Sequence, residues 1–150
     1  MRKYLFLGMG IFVLLGAFFM LRGNQERLVP ISLNYQETSS SYKVEIADTS
    51  EKAALGLMYR KSMPQNHGML FVFPYPKIVK MWMKNTYLPL DMIFFNAHNQ
   101  VVCLHENARP LDESIISCPY PAQKVLELNA GEIRAKNIRL GTILNYPNSF

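Results

Sequence analysis

The sequence lacks a long run of basic residues, although its net charge is +5. Its 16 lysines and arginines are spread along the 150 residues instead of being gathered in one stretch. A clustered basic patch is the usual electrostatic mark of a protein that binds nucleic acid. We therefore expect no nucleic-acid partner. The charge instead favours mild attraction to anionic lipid or to cell-wall polymer.

Tryptophan and cysteine are scarce, with one and two copies, and the chain contains no internal repeat or low-complexity tract. Hydrophobic residues, by contrast, make up 49 % of the sequence. That fraction is enough to build a buried core and too high for a disordered chain. Length and composition together predict one globular domain with an accessory segment.

The N-terminal segment, residues 1–23, reads as a membrane anchor or signal segment. Arg2 and Lys3 precede an uninterrupted apolar run over residues 4–21, which would span about 27 Å as a helix. No Ala-x-Ala-like site follows the run, which favours an uncleaved anchor over a cleaved signal peptide. No cysteine follows it either, which excludes lipoprotein processing. We expect the chain to contact the membrane through residues 4–21, with its C-terminal domain outside the cytoplasm, on the periplasmic or extracellular face.

Residues 24–41 are polar and suggest a linker, although Leu28–Leu33 has the composition of a short strand. Residues 42–150 then alternate short apolar runs with turn residues. This pattern predicts an α+β domain, mostly antiparallel, built as a compact bent sheet or partly closed β-barrel with one or two short helices. A single N-terminal transmembrane helix would precede it.

Several elements can be placed individually. Asp48 and Glu51 have the spacing of a capping box at the start of a short helix. Met69–Phe73 reads as a buried strand that Pro74 breaks. The predicted later strands are Val79–Met83, Leu90–Phe95, Val101–His105, Lys124–Leu128 and Ile138–Leu144. On Lys124–Leu128, Val125 and Glu127 should face away from Leu126 and Leu128, because side chains alternate along a strand.

Five motifs resemble those of the domain of unknown function 192 (DUF192) family. In chain order they are Gly56-Leu57-Met58-Tyr59-Arg60, Gly68-Met69-Leu70-Phe71-Val72-Phe73, Trp82-Met83-Lys84-Asn85-Thr86, Pro89-Leu90-Asp91 and Val125-Leu126-Glu127-Leu128-Asn129-Ala130-Gly131. The resemblance covers about residues 43–145 and implies a compact β-rich domain, commonly behind an export signal or anchor. It implies no established activity. The hairpin loop at Asn96–Asn99 departs from the Asp-Gly type of turn that is usual in the family.

The candidate ligand-binding residues are polar or aromatic side chains that stand among apolar ones: Arg60, Trp82, Lys84, Asn85, Thr86, Asp91 and Glu127. One interpretation is structural, with Asp91 accepting backbone or Thr86 hydrogen bonds and Arg60 pairing with Asp91 or Glu127. The other is a pocket, in which Trp82 forms an apolar wall and the polar groups orient a small polar or saccharide-like ligand or an envelope partner.

Two further functions compete with ligand binding. A hydrolase acting on envelope polymers would use Asp91 and Glu127 as acid and base, or a cysteine paired with His105, but no catalytic residue is assigned. A periplasmic Cu(I)-binding module would use Met81 and Met83, which share a strand face. Methionine is more often a filler of irregular cores, so we predict neither a metal nor a cofactor.

The sequence does not decide whether Cys103 and Cys118 form a disulfide. In an oxidising compartment they would close a loop of about 15 residues and stabilise the domain by about 3 kcal/mol. Alternatively, Cys103 is simply buried on its strand.

Overall fold

The computed structural model describes residues 27–147, so the predicted anchor over residues 4–21 lies outside the described residues. Within residues 27–147, no helix has the length and apolar character needed to cross a bilayer. The helices are α1 (Ser50–Leu55) and α2 (Glu132–Ala135). The strands are β1 (Val29–Tyr35), β2 (Thr38–Ala47), β3 (His67–Lys77), β4 (Lys80–Met81), β5 (Leu90–Phe95), β6 (Val101–Ala108), β7 (Ile116–Ser117), β8 (Ala122–Asn129) and β9 (Ile143–Asn145).

Seven strands form one sheet in the order β6-β5-β8-β3-β2-β1-β9, while β4 and β7 pair separately. All neighbours are antiparallel except β2 and β3, which run parallel. A parallel pair needs a crossover connection, and the segment that contains α1 supplies it. The predicted fold class, mostly antiparallel β with two short helices, is confirmed at this level.

The sheet curls so that its two outer strands approach each other. Gln100, just before β6, forms a bridge with Ile143 of β9. The Val101 amide donates to the Thr142 carbonyl at 2.9 Å, and the Leu144 amide donates to the Asn99 carbonyl at the same distance. These bonds make the sheet a half-barrel and cover edge groups that would otherwise be unpaired.

Two hydrophobic clusters pack on opposite faces of this sheet. The first cluster includes Ile93, Phe95, Leu126 and Leu128, together with much of β1 and the residues around α2. The second cluster includes Met69, Phe71, Met92, Phe94 and Val125, together with Leu57, Val79 and Met83. The predicted alternation of β8 is confirmed, because its odd-numbered and even-numbered side chains enter different clusters.

Three local expectations are corrected. The sheet begins at Val29, inside the stretch that suggested a linker, because Val29, Ile31 and Leu33 are all buried. The N-cap of α1 is Thr49 rather than Asp48, since its side chain accepts the Lys52 amide. Pro74 does not end β3, which runs on to Lys77. The register with β8 slips between Val72 and Lys77, so a residue without an N–H is tolerated there.

Gly68 marks a close approach between strands. A Cβ at this position would lie 2.4 Å from the Glu127 carbonyl oxygen and 2.8 Å from a methyl carbon of Leu128. Both distances are below van der Waals contact, so only glycine fits without a shift of β3 against β8. Gly68 therefore sets the spacing of the strand that carries Glu127.

Cys103 and Cys118 form a disulfide in the structure, with a Cα–Cα distance of 5.9 Å. Cys103 lies on β6, and Cys118 directly follows β7 and is fully buried. The bond ties the long 109–121 connection to the main sheet. Of the two states that the sequence left open, the structure has the paired one.

Candidate functional site

One row of side chains crosses the face of the sheet that carries the second cluster. Strand register places Glu45 of β2 opposite Met69 of β3, Met69 opposite Glu127 of β8, and Glu127 opposite Met92 of β5. Opposite residues of neighbouring strands share a face. Two carboxylates therefore stand two strands apart on one face, separated by a methionine.

Glu127 is the unusual member of this row. Its residue surface is only 4 % exposed, which is rare for a glutamate. Burial raises the pKa of the Glu127 carboxyl to about 8, and the nearby Arg60 guanidinium only partly opposes that rise. The carboxyl is thus mostly protonated at neutral pH, which gives it both a donor and an acceptor.

Arg60 follows the turn at the end of α1 and reaches over the same face. Its Nη1 and Nη2 atoms donate to the two carboxylate oxygens of Glu45 at 2.5 and 2.6 Å. This fork-to-fork geometry is the strong form of an arginine–carboxylate pair. The expected ion-pair partners, Asp91 or Glu127, are therefore corrected: the ion pair goes to Glu45, and the charge of Arg60 lowers the pKa of Glu127 against the larger effect of burial.

A small cavity opens above the Glu127 carboxyl. Its volume is about 30 Å³, and its walls come from α1, the turn after α1, and the loop that follows β4. The lining side chains relevant to binding are Met58, Phe71, Trp82, Thr86 and Glu127. Since one water needs about 10–15 Å³ of such space, the cavity has room for one small polar group.

Trp82 and Lys84 lie at the rim of this cavity. The Trp82 residue is 45 % exposed, which is high for the largest apolar side chain in the protein. The Lys84 ammonium stands 5.3 Å from the centre of the Trp82 ring, in cation–π range. One face of an aromatic platform is therefore available beside a buried carboxyl.

Thr86 lines the cavity, and Asn85 precedes it in the same loop. The Asn85 side-chain amide donates to the Tyr59 hydroxyl at 2.9 Å, while the Asn85 carbonyl accepts the Tyr59 amide at 2.8 Å. Asn85 and Tyr59 have positive φ angles, 52° and 64°, which non-glycine residues adopt rarely and mostly at constrained sites. The buried Thr86 hydroxyl donates to the Lys84 carbonyl at 3.1 Å. The two loops are thereby fixed to each other.

Asp91 lies on the other face of the sheet and does not reach this site. It is fully buried, and its Oδ1 and Oδ2 atoms accept the amides of Asn107 and Ile133 at 2.9 and 2.8 Å. The second bond satisfies an amide in the first turn of α2. Asp91 accepts backbone hydrogen bonds, as the structural interpretation expected, but it joins α2 and β6 to the sheet and does not bond Thr86.

The structure thus brings six of the seven candidate residues to one region: Arg60, Trp82, Lys84, Asn85, Thr86 and Glu127. Two contributors were missed, Glu45 and Tyr59. Glu45 alternates with the buried Val44 and Ile46 along β2, a pattern typical of a solvent-facing residue, yet its side chain is only 13 % exposed. Tyr59 stands directly before Arg60 in the same motif, and this position was the sequence signal that could have marked it as a site residue.

The geometry also bears on the competing functions. Asp91 and Glu127 point to opposite faces of the sheet, so they cannot flank one scissile bond as acid and base. Cys103 and Cys118 are bonded to each other, so neither offers a thiolate beside His105. Met83 is fully buried within the second cluster, and Met81 packs against that cluster. Among residues 27–147, no three His, Cys, Asp or Glu side chains are grouped to hold a metal ion.

A larger groove, of about 650 Å³, lies elsewhere, over the side chains of β1, β2 and the start of β3. Its lining includes Tyr42, Lys43, His67 and Tyr146 but none of the candidate residues. Tyr42 donates to a Glu132 carboxylate oxygen at 3.0 Å, and burial together with Glu132 raises the pKa of the Tyr42 phenol. Size alone does not make this groove the better site, because Tyr42 is already paired there.

Comparison with solved structures supports the fold and the family. A protein from Sinorhizobium meliloti 1021, described as a suggested transcription regulator, is 40 % identical, with a TM-score of 0.77 over 79 % of this chain and 93 % of that chain. A protein of unknown function from Novosphingobium aromaticivorans DSM 12444 is 32 % identical, with a TM-score of 0.76 over 79 % of this chain and 84 % of that chain.

The search of curated proteins found no match. The profile of the DUF192 family, described as an uncharacterised ACR, matches residues 32–146. That range contains the second hydrophobic cluster, the disulfide and every residue of the Glu127 cavity. The chain belongs to the DUF192 family.

Proposed function

We propose that this protein is a binding domain for a hydroxylated, saccharide-like ligand, which places one polar group in the cavity above Glu127. The observation that carries the proposal is Glu127 itself. Its side chain is almost fully buried, its carboxyl has a raised pKa, and the residue lines a small cavity, a combination typical of functional sites. A ligand hydroxyl in that cavity would hydrogen-bond to the carboxyl.

The chemistry of Glu127 narrows the ligand class. A protonated carboxyl donates through its hydroxyl and accepts through its carbonyl oxygen, and an alcohol is complementary to both. A cavity of about 30 Å³ admits one such group and excludes a whole sugar ring. The remainder of the ligand therefore stays outside, where the exposed Trp82 ring offers a flat surface for the apolar face of a sugar.

The surrounding contacts hold the site in shape before a ligand arrives. Arg60 is fixed by its two bonds to Glu45, and Asn85, in the loop beside the cavity, is fixed to Tyr59. Preorganisation of this kind reduces the entropy that binding would otherwise cost. Lys84 at the rim is placed to contact an outer hydroxyl or a carboxylate of the ligand.

We place the domain outside the cytoplasm, tethered by residues 4–21, and propose an envelope polymer as the natural source of the ligand. The apolar run and the Cys103–Cys118 disulfide support this location, since disulfides persist in oxidising compartments. A C-terminal reporter that is active only in the cytoplasm should stay dark. An active reporter would contradict the proposed location and would leave the proposed binding site untested.

Binding is tested with the fluorescence of Trp82, which is the only tryptophan. The purified full chain is titrated with N-acetylglucosamine, its β-1,4-linked oligomers and soluble peptidoglycan fragments. We expect a saturable change with at least one of them. Calorimetry then compares variants: Glu127→Met, which removes the hydrogen bond, should weaken binding about tenfold or more, because the ligand hydroxyl loses its partner.

Glu127→Gln and Glu37→Gln serve as controls. Glutamine keeps a donor and an acceptor in the cavity, so Glu127→Gln should retain most of the affinity. Glu37 is exposed in the β1–β2 turn, and its substitution should change nothing. Absence of a fluorescence change with every probe, or equal binding by Glu127→Met and the parent protein, would refute the proposal.

A further inference from the structure

From Ile78 to Met83, around the short strand β4, the side chains alternate between solvent and core. Val79 and Met83 are buried in the second cluster, with exposures of 2 % and 0 %. The intervening Ile78 and Trp82 are 48 % and 45 % exposed, and Lys80 is exposed between them. Period-two alternation thus puts apolar and cationic side chains in turn along one outer surface.

The end of β3 leads directly into this stretch and also exposes side chains. Tyr75 is 64 % exposed, and Lys77 beside it is exposed as well. No aspartate or glutamate occurs anywhere in residues 73–84. We call the side chains of Tyr75, Lys77, Ile78, Lys80, Trp82 and Lys84 the 75–84 stripe; all are exposed except Lys84, which is half-buried. It presents three cations and three large apolar groups without a compensating charge of its own.

Among residues 27–147, none of the three lysines of the stripe forms a salt bridge. β4 pairs with β7, which places Ser117 opposite Lys80 and Ile116 opposite Met81. Asp112, whose carbonyl accepts the Met83 amide, has its carboxylate occupied by Arg109 and by the Ser114 amide. Two of the lysines lie instead over aromatic rings, Lys77 over Phe73 at 4.4 Å and Lys84 over Trp82 at 5.3 Å.

We propose that the 75–84 stripe docks on an anionic phospholipid bilayer. Tryptophan and tyrosine prefer the headgroup level of a membrane, and lysine stems can lie along apolar surface while the ammonium meets lipid phosphate. Each lysine near an anionic surface raises the ratio of docked to undocked protein about fivefold. Three lysines therefore make this a reversible, charge-dependent contact.

Composition favours a bilayer over a protein as the occupant. Lysine is depleted in protein–protein interfaces, where aromatic residues and arginine dominate. Here every charge in the stripe is a lysine and the apolar groups are spaced between them. That alternation matches a surface of mixed headgroup and acyl chain. The stripe lacks the compact apolar hot spot through which a protein partner would bind.

The inference does not rest on the proposed ligand. Lys77 and Lys80 do not line the cavity above Glu127, whereas Trp82 belongs to both features. Docking would bring the mouth of the cavity to the membrane surface. Substitution of Lys77 and Lys80 should release the domain from lipid and leave saccharide titration unchanged, so either proposal can fail alone.

The experiment uses the full chain reconstituted in vesicles that contain brominated phosphatidylcholine, alone or mixed equally with phosphatidylglycerol. Bromine quenches tryptophan at short range, and Trp82 is the only one. We expect stronger quenching in the anionic vesicles and reversal by salt. The variant Lys77→Gln/Lys80→Gln should lower the docked-to-undocked ratio about 25-fold, while the exposed Lys136→Gln near α2 should not change it.

Equal quenching in neutral and anionic vesicles would overturn the proposal. So would quenching that the double substitution leaves intact. An unquenched Trp82 in both vesicle types would also refute it and would favour a protein or a soluble polyanion as the occupant of the stripe.

Discussion

Tyr59 and Asn85 hold each other through two hydrogen bonds that run in opposite directions between their loops. The Tyr59 amide donates to the Asn85 carbonyl, and the Asn85 side chain donates to the Tyr59 hydroxyl. Each residue has a positive φ angle. The two loops that supply Met58 and Thr86 to the Glu127 cavity are therefore joined through two residues with left-handed backbone conformations.

Substitution of Asn85 should separate strain from hydrogen bonding. Asn85→Gly keeps the left-handed conformation and loses only the side-chain bond, which contributes about 1 kcal/mol. Asn85→Ala also suffers the Cβ penalty of about 1–2 kcal/mol, so it should be the less stable variant. Urea unfolding gives both values, and Tyr59→Phe isolates the side-chain bond. Equal stability of the glycine and alanine variants would show that the backbone at residue 85 is not strained.

Glu127 should make stability depend on pH. Its carboxyl has a pKa of about 8 when folded, against an ordinary value of 4.5, so the folded state holds the proton more tightly. The stabilisation is complete below about pH 4.5 and is lost as pH rises toward 8, at up to about 1.4 kcal/mol per pH unit. Glu127→Gln, which cannot ionise, should lack this slope. Parallel pH profiles of unfolding free energy for the two proteins would rule out a raised pKa.

Asp91 should prove structural. Asp91→Asn replaces one acceptor oxygen with an amide donor that faces a backbone N–H, which should destabilise the fold by about 2–4 kcal/mol. Asp91 lies on the face opposite the cavity, so the folded variant should keep its affinity for any Glu127 ligand. Denaturant unfolding and calorimetry measure the two effects. Loss of binding with unchanged stability would place Asp91 in the site after all.

Reduction of Cys103–Cys118 should cost about 3 kcal/mol of stability, the value for a closed loop of 15 residues. The measurement is the unfolding free energy with and without dithiothreitol. The Cys103→Ala/Cys118→Ala variant should show the lower stability under both conditions. If dithiothreitol leaves the unfolding free energy of the parent protein unchanged, the pair does not stabilise the fold.

Strand identity was predictable where a continuous apolar run had clear boundaries. β5 runs from Leu90 to Phe95 as expected, between Pro89 and the polar Asn96. The opposite orientations of Glu127 and Leu128 also followed from alternation alone. The path of β3 beyond Pro74 did not follow, because only the slipped register shows that no amide donor is needed there.

The composition of the site was less predictable than its location. Sequence spacing identified the loop of Trp82 to Thr86 and the strand of Glu127, but not which face Asp91 would take relative to Glu127. That relation depends on the register between β5 and β8, where Asp91 lies opposite Leu128. Arg60 illustrates the same limit, since its partner Glu45 becomes its neighbour only through the parallel pairing of β2 and β3.

The position of β1 has a mechanical consequence. This first strand lies inside the sheet, hydrogen-bonded to β2 on one side and to β9 on the other. Any pull transmitted through the residues before Val29 therefore enters a strand held by two ladders, whose bonds share the load instead of opening one at a time. A domain built in this way can resist unfolding when force is applied through its leading segment.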